Sequence, residues 1–302
     1  MSRSRTEFDN YVEEQVRKIK GVYFPVKTNF LTRLLTKTAA CKSLYPNPED
    51  EFSMPDIGPN YSIISSYESQ FRENMQKNLP YYGLNEPIIV ERLHPDGYMI
   101  INGHHRWAAA LKLGQARIPV KIVNLMHAAE LREILQNSQH ERRAAFDLDE
   151  VIIRGADDPF LEEPLPFPWK NIYKVRIRRG VPAVFHVLER NGYDIWLYSS
   201  QYHSADTVQN YFHKYHVKIT GVVSATGKKI FQRVNDIKVE KMIHERYRQT
   251  LHVDNNMVLL TGNDVKEPLE FELSGAPETW SQEVVDVIEK IEKEDEEAGR
   301  AT

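Results

Sequence analysis

Two aspartates, Asp147 and Asp149 in the run FDLDEV, close an apolar stretch that reads as a strand, so both carboxylates can leave the same side of the chain where it exits a sheet. Adjacent carboxylates repel unless a cation lies between them or one is protonated. A phosphoryl-transfer site uses that arrangement, because magnesium bridges oxygen ligands and offsets phosphate charge. Residues of matching chemistry follow in order. The strand YDIWLY ends in Ser199 and Ser200, whose hydroxyls suit a phosphate oxygen at the next helix N-terminus. Lys238 begins a helix and can serve as a point charge on phosphate, with Lys241 one turn on as the alternative. Asp254, followed by Asn255, ends the strand TLHVD as a third carboxylate.

A second group lies earlier, in YMIINGHHRWAAALKLG. Gly103 permits close backbone approach, the helix N-terminus offers free N–H groups, and Arg106 supplies a fork matched to phosphate. His104 and His105 diverge by about 100° on a helix, so they do not share one metal. One of them is expected to contact phosphate or to cap the helix.

The elements that must hold these residues follow from periodicity. Tyr11, Val12, Val16 and Ile19 fit one face of a helix over 8–20, and Phe30, Leu31, Leu34 and Leu35 mark a second, basic stretch. The run YPNPEDEFSMPDIGPN reads as an irregular connector. A helix is predicted over 67–78. PIIVERL and YMIIN form two strands joined at Pro95, Asp96 and Gly97, and the GHHR helix and the strand PVKIVNL complete an α+β module. From FDLDEV onward strands alternate with helices, which argues for a parallel sheet with its chemistry at the carboxyl ends of the strands. The insert after Val151 is short and proline-rich. Within it Lys174, Arg176, Arg178 and Arg179 either steer an anionic substrate or form a solvated strand face.

Residues 144–260 resemble the haloacid dehalogenase-like superfamily of phosphatases, whose four ordered motifs match FDLDEV, LYSS, the lysine of IKVEK and HVDNN. The resemblance implies Asp147 as the nucleophile that forms an aspartyl-phosphate, and Asp149 as general acid and then base. It implies that Ser199 and Lys238 orient the phosphoryl group. Asp147 and Asp254 would hold Mg²⁺, with Asp149 and Asn255 at the same metal site. Residues 86–123 resemble the ParB-like and sulfiredoxin-like superfamily, which includes free serine kinases. That resemblance implies a nucleotide or phosphate site at Asn102, Gly103, His104, His105 and Arg106, taking ATP, ADP or CTP. Asn102 stands where the kinases carry an aspartate base. Kinase chemistry would therefore need Glu68 or Glu86 in that role.

The implied architecture is a two-domain α/β chain: an α+β ParB/sulfiredoxin-like module, then a parallel-sheet, Rossmann-like domain of the haloacid dehalogenase type with minimal cap. Its expected parts are a helical extension (1–55), the first module (56–125), a helical linker (126–143), the second domain (144–285) and an acidic tail (286–302) that frays into solvent. A chain of 302 residues suits two domains at roughly 100–200 residues each. Net charge is −4, which gives no global pull toward nucleic acid, and no stretch approaches the ~20 apolar residues of a membrane helix. The single Cys41 excludes an internal disulfide and suits a packing role. The expectation is a cytoplasmic, Mg²⁺-dependent phosphatase or phosphotransferase acting on a phosphorylated small molecule or phosphoprotein, coupled to a nucleotide site, with no membrane partner and nucleic acid disfavoured. The alternatives are a nucleotide-dependent DNA-binding regulator, and a small-metabolite kinase fused to a phosphatase.

Overall fold

The computed structural model describes residues 6–79, 86–225, 235–263 and 267–300, with the side chains of 235–240 and 298–300 outside the description. The chain divides into two units after Asn124.

In the first unit, Thr6 caps α1 (Glu7–Ile19) through a reciprocal capping box with Asp9. Then come β1 (Phe24–Pro25), α2 (Phe30–Leu35), β2 (Thr38–Ala40), β3 (Leu44–Pro46), α3 (Tyr61–Gln76), β4 (Ile88–His94), β5 (Tyr98–Asn102), α4 (His104–Lys112) and β6 (Arg117–Ile122). The sheet runs β2-β6-β4-β5-β3, with β1 on the edge of β4. β4 and β5 are antiparallel, while β6 lies parallel to β4. Trp107 and the small residues Ala108, Ala109 and Ala110 are fully buried, in one core with Ile64 and Phe71 of α3. Cys41 belongs to this core, and burial pushes its thiol up to about 11.

Three expectations change here. Among the described residues the segment expected as a helical extension (1–55) also supplies β2 and β3 to this sheet, and Val12 of α1 lies in its core. The proline-rich connector contains β3 and a 3₁₀ turn at Glu51–Ser53, anchored by the buried ring of Phe52. The third helix starts at Tyr61, since the Asn60 side chain accepts from the N–H groups of Ser62 and Ile63 and so caps it.

The second unit begins with α5 (Ala128–Asn137) and β7 (Arg142–Asp147), followed by a π-helical turn at Leu148–Ile152 and the short strand β8 (Ile153–Arg154). Next come α6 (Trp169–Ile172), β9 (Arg176–Ile177), α7 (Val181–Arg190), β10 (Tyr193–Ser199), α8 (Ala205–His213), β11 (Gly221–Ser224) and α9 (Asn235–Arg246). β12 (Gln249–Val253), β13 (Met257–Gly262), β14 (Leu269–Glu272) and α10 (Trp280–Arg300) complete it. Strand order is β11-β10-β7-β12-β13-β14, in which the first four are parallel and the last two antiparallel. The parallel sheet therefore carries an antiparallel edge that the alternating pattern did not announce. β8 and β9 pair as a separate two-stranded ribbon within the insert.

Alternate residues of β10 enter two cores. Ile195 and Leu197 pack with Phe146, Phe185, Phe212 and Ile288, whereas Trp196 packs with Leu131, Leu135, Ile243 and Tyr247. The helix expected as a linker, α5, is thus a covering layer of this sheet. The expected fraying tail (286–302) continues α10, a helix that starts at Trp280 and buries Trp280, Val284, Ile288 and Ile291 along one face. Each such side chain contributes about 1.5–3 kcal/mol on burial, enough to order a helix whose other faces are acidic.

Candidate functional site

Parallel register brings the second-unit residues together. Tyr198 of β10 lies opposite Asp147 of β7, and Val253 of β12 opposite Phe146, so Ser199, Asp147 and Asp254 all leave the carboxyl edge of three adjacent strands. Asp147 Oδ1 accepts the N–H groups of Asp149 (2.8 Å) and Glu150 (2.7 Å), capping the π-helical turn. Its Oδ2 has no hydrogen bond among the described residues.

Asp149 turns to the end of β10. Its Oδ2 accepts from Ser199 Oγ at 2.6 Å and from Ser200 N at 3.1 Å, and its Oδ1 lies 3.0 Å from His203 Nε2. The repulsion of the two carboxylates is thereby offset by separate donor sets. Ser199 is fully buried, and its Oγ also accepts from Gln201 N at 2.9 Å, so Ser200 is the exposed hydroxyl of the pair. His203 had no place in the motif reading. Its signal in the sequence is only its position in the turn that follows β10.

Asp254 is exposed, and its backbone carbonyl accepts from Trp280 Nε1 at 2.9 Å. Asn255 differs from its expected role as a metal ligand. Its Oδ1 accepts from Arg154 Nη2 and, at 3.0 Å, from Arg178 Nη1, so the amide oxygen is already engaged. Arg178 is 2% exposed, not part of a solvated strand face. Burial and then the neighbouring Arg154 push its pKa down to about 10. Lys238 lies in α9, but its side chain falls outside the described residues. Lys241 pairs with Glu245 at 3.6 Å and is 73% exposed.

Among the described residues no three His, Cys, Asp or Glu side chains cluster at metal-binding spacing. Magnesium commonly takes one or two carboxylates and completes its shell with water and substrate phosphate. Asp147 and Asp254, hard oxygen donors on neighbouring strand ends, fit that demand. Asn255 does not.

The GHHR turn in the first unit is built differently from expectation. Gly103 has φ +100° and forms the N-cap of α4, and the Arg106 guanidinium folds back over it. Arg106 donates to Asn102 Oδ1 at 3.0 Å and to the Glu86 carbonyl at 2.6 Å, so its fork is engaged within the protein. His104 Nε2 accepts from Asn47 N and His105 Nε2 from Asn60 N, each at 3.2 Å. Both rings pack against Phe52. The two histidines thus tie the connector to α4. Burial pushes His104 down to about 4 and lowers His105 as well, so neither is a cation near neutrality.

The two candidate bases are separated. Glu68 Oε1 lies 2.7 Å from Lys112 Nζ, an ion pair by distance without hydrogen-bond alignment, at the end of α4 about 12 Å from His104. The Glu86 side chain is 86% exposed and 3.7 Å from Arg106.

Comparison with known proteins supports one of the two resemblances. Residues 51–139 match the ParB N-terminal domain family, so a ParB N-terminal domain is present in this chain. Nucleoid occlusion proteins of Bacillus thuringiensis (strain Al Hakam), Bacillus mycoides (strain KBAB4) and Bacillus cereus (strain AH820) are each 30% identical over 99 residues, covering 32% of this chain and 34% of theirs. The chain spans about a third of the length of these curated relatives. The crystal structure of the C-terminal domain of the coenzyme A biosynthesis bifunctional protein CoaBC covers 53% of this chain and 99% of its own at 13% identity. Its TM-score of 0.20 is too low to bear on the fold. Among the described residues no helix is long and apolar enough to cross a membrane.

Proposed function

We propose that the second unit is a magnesium-dependent phosphatase or phosphotransferase of the haloacid dehalogenase type, acting on a phosphomonoester. The observation that carries this reading is the shared carboxyl edge of β7, β10 and β12, from which Asp147, Ser199 and Asp254 emerge. Asp147 would attack phosphorus through the oxygen left open, forming an aspartyl-phosphate as the ester P–O bond breaks. Asp149 would give its proton to the leaving alkoxide and then take one from the water that releases inorganic phosphate. Ser199 and His203 hold the Asp149 carboxylate through both its oxygens. Asp147 and Asp254 would hold Mg²⁺, which offsets the phosphate charge. Lys238 is assigned by the resemblance alone.

The test is Mg²⁺-dependent hydrolysis of p-nitrophenyl phosphate by the full chain, with Asp147→Asn as control. Loss of at least about 100-fold in kcat with the fold retained supports the reading. Equal rates for the variant and the parent, or no hydrolysis by either, would sink it.

A second reading rests on the ParB N-terminal domain: a nucleotide- or DNA-related role for the first unit. Calorimetric titration of CTP, ATP and ADP into the full chain, and duplex DNA binding at two salt concentrations, test it. The engaged side chains of His104, His105 and Arg106 leave backbone N–H groups as the phosphate contacts in such a complex. Absence of binding to any of the four removes this role.

A further inference from the structure

Arg154 and Arg178 converge on the carboxyl edge of β12 with no carboxylate between them. Both donate to the one amide oxygen of Asn255, the residue next to Asp254. Among the described residues neither guanidinium makes an ion pair. Asp158, a carboxylate near enough to act on Arg178 through space, accepts the Phe160 N–H instead. A neutral amide satisfies two donors but cancels no charge. Arg178 Nε is buried and has no hydrogen-bond partner, and the indole face of Trp280, 4.2 Å away, offsets the cation only in part. Two like charges held together in a partly dry setting are costly unless an anion joins them.

Position gives this pair its meaning. Arg154 ends β8, which follows directly from the π-helical turn that Asp147 caps, and Arg178 follows β9 on the same ribbon. Arg178 is almost wholly buried and fixes the Asn255 amide. Arg154 is the partly exposed member that a ligand can reach. The amide nitrogen of Asn255 is held by the Glu150 carbonyl at 3.3 Å, so the carboxamide keeps its oxygen toward the arginines.

We propose that Arg154 and Arg178 form a second-anion subsite beside the phosphoryl site, so that the substrate is a phosphomonoester bearing another oxyanion, a carboxylate or a second phosphate. This rests on the phosphatase reading of the same edge. The guanidinium forks match either oxyanion in geometry. The non-reacting end of the substrate is then drawn along the β8/β9 ribbon, and the attacking Asp147 meets the phosphoryl group at the other end.

The test compares kcat/KM of the full chain for p-nitrophenyl phosphate, 2-phosphoglycerate and a hexose bisphosphate, which carry no second anion, a carboxylate and a phosphate respectively. The expected preference is about tenfold or more for one or both of the latter, the size of a charge-assisted hydrogen bond. Arg154→Gln removes the reachable guanidinium, and Asn255→Asp sets a carboxylate between the two arginines. Each is expected to cut that preference about tenfold. A parent that hydrolyses all three equally, or a preference unchanged in both variants, overturns the proposal. If p-nitrophenyl phosphate is not hydrolysed, the phosphatase reading fails, and calorimetry with inorganic pyrophosphate decides the subsite alone. Binding weakened about tenfold by Arg154→Gln upholds an anion site, and no binding, or equal binding, refutes it.

Discussion

Replacing His104 with Gln should remove a specific acid sensitivity from the first unit. The ring is 4% exposed, stacks on Phe52 with centroids 5.3 Å apart, and accepts the Asn47 N–H at Nε2. Asp50 Oδ1 stands 3.7 Å from Nδ1 and favours the charged form, yet burial dominates and holds the group at about 4, against 6.5 in the unfolded chain. Between those values the unfolded chain binds a proton that the native state does not. Native stability therefore falls as pH drops through 6.5, and the loss is complete below about 4. The difference between 6.5 and about 4 corresponds to about 3 kcal/mol. Gln can present an oxygen to the same N–H and does not titrate, so the carboxylates that also drive acid unfolding cancel in the comparison. Urea unfolding of both proteins from pH 7.5 to 4, followed by hydrogen exchange of peptides from the first unit, reads the gap. The parent is expected to be the more stable at pH 7.5 and to lose about 3 kcal/mol relative to Gln by pH 4. A gap that stays constant across this range would falsify the account of a buried neutral ring.

Three further outcomes follow from packing. Gly221→Ala sets a Cβ 2.2 Å from Trp196 Cζ3, a fully buried ring with no room to retreat, and should cost about 3 kcal/mol or prevent folding, as read by thermal unfolding. Trp280→Ala removes a side chain that is 1% exposed, its hydrogen bond to the Asp254 carbonyl and the surface under Arg178. The expected loss is about 3–5 kcal/mol in chemical denaturation. Ser199→Ala removes one of the two donors to Asp149 Oδ2, leaving Ser200 N, and takes the side-chain acceptor from Gln201 N; it should cost about 1–3 kcal/mol, with a fall in kcat if Asp149 is the acid and base.

The strand ends bearing Asp147, Ser199 and Asp254 were legible because each closes an apolar run, and a parallel sheet gathers such ends on one edge. The fate of Asn255 was not. Its partners Arg154 and Arg178 are distant in sequence, and nothing local distinguishes an amide that faces a metal from one that faces guanidinium groups. β2 and β3 span three residues each, too few to display a period of two, so they read as extension and connector. The tail failed for another reason. Its acidic composition reads as a fraying end, while Ile288 and Ile291 continue the helical period of Trp280 and Val284 that docks the helix.

The limit of the ParB-like segment shows why a boundary drawn from sequence similarity and one drawn from packing need not coincide. The family match runs to residue 139, past Asn124, and so includes α5. Yet Leu131 and Leu135 of that helix are buried with Trp196, Ile243 and Tyr247 of the second unit. Arg246 adds donors to the carbonyls of Leu135 (3.1 Å) and Ser138 (2.8 Å), and the Ser138 hydroxyl reaches Asp194 on β10. Removing residues up to 139 would therefore strip a layer from the sheet and bare Trp196. A cut at Asn124 would leave that layer in place. Domain exchange experiments should accordingly keep α5 with the carboxylate unit, and the family limit at 139 is the wrong place to divide the chain.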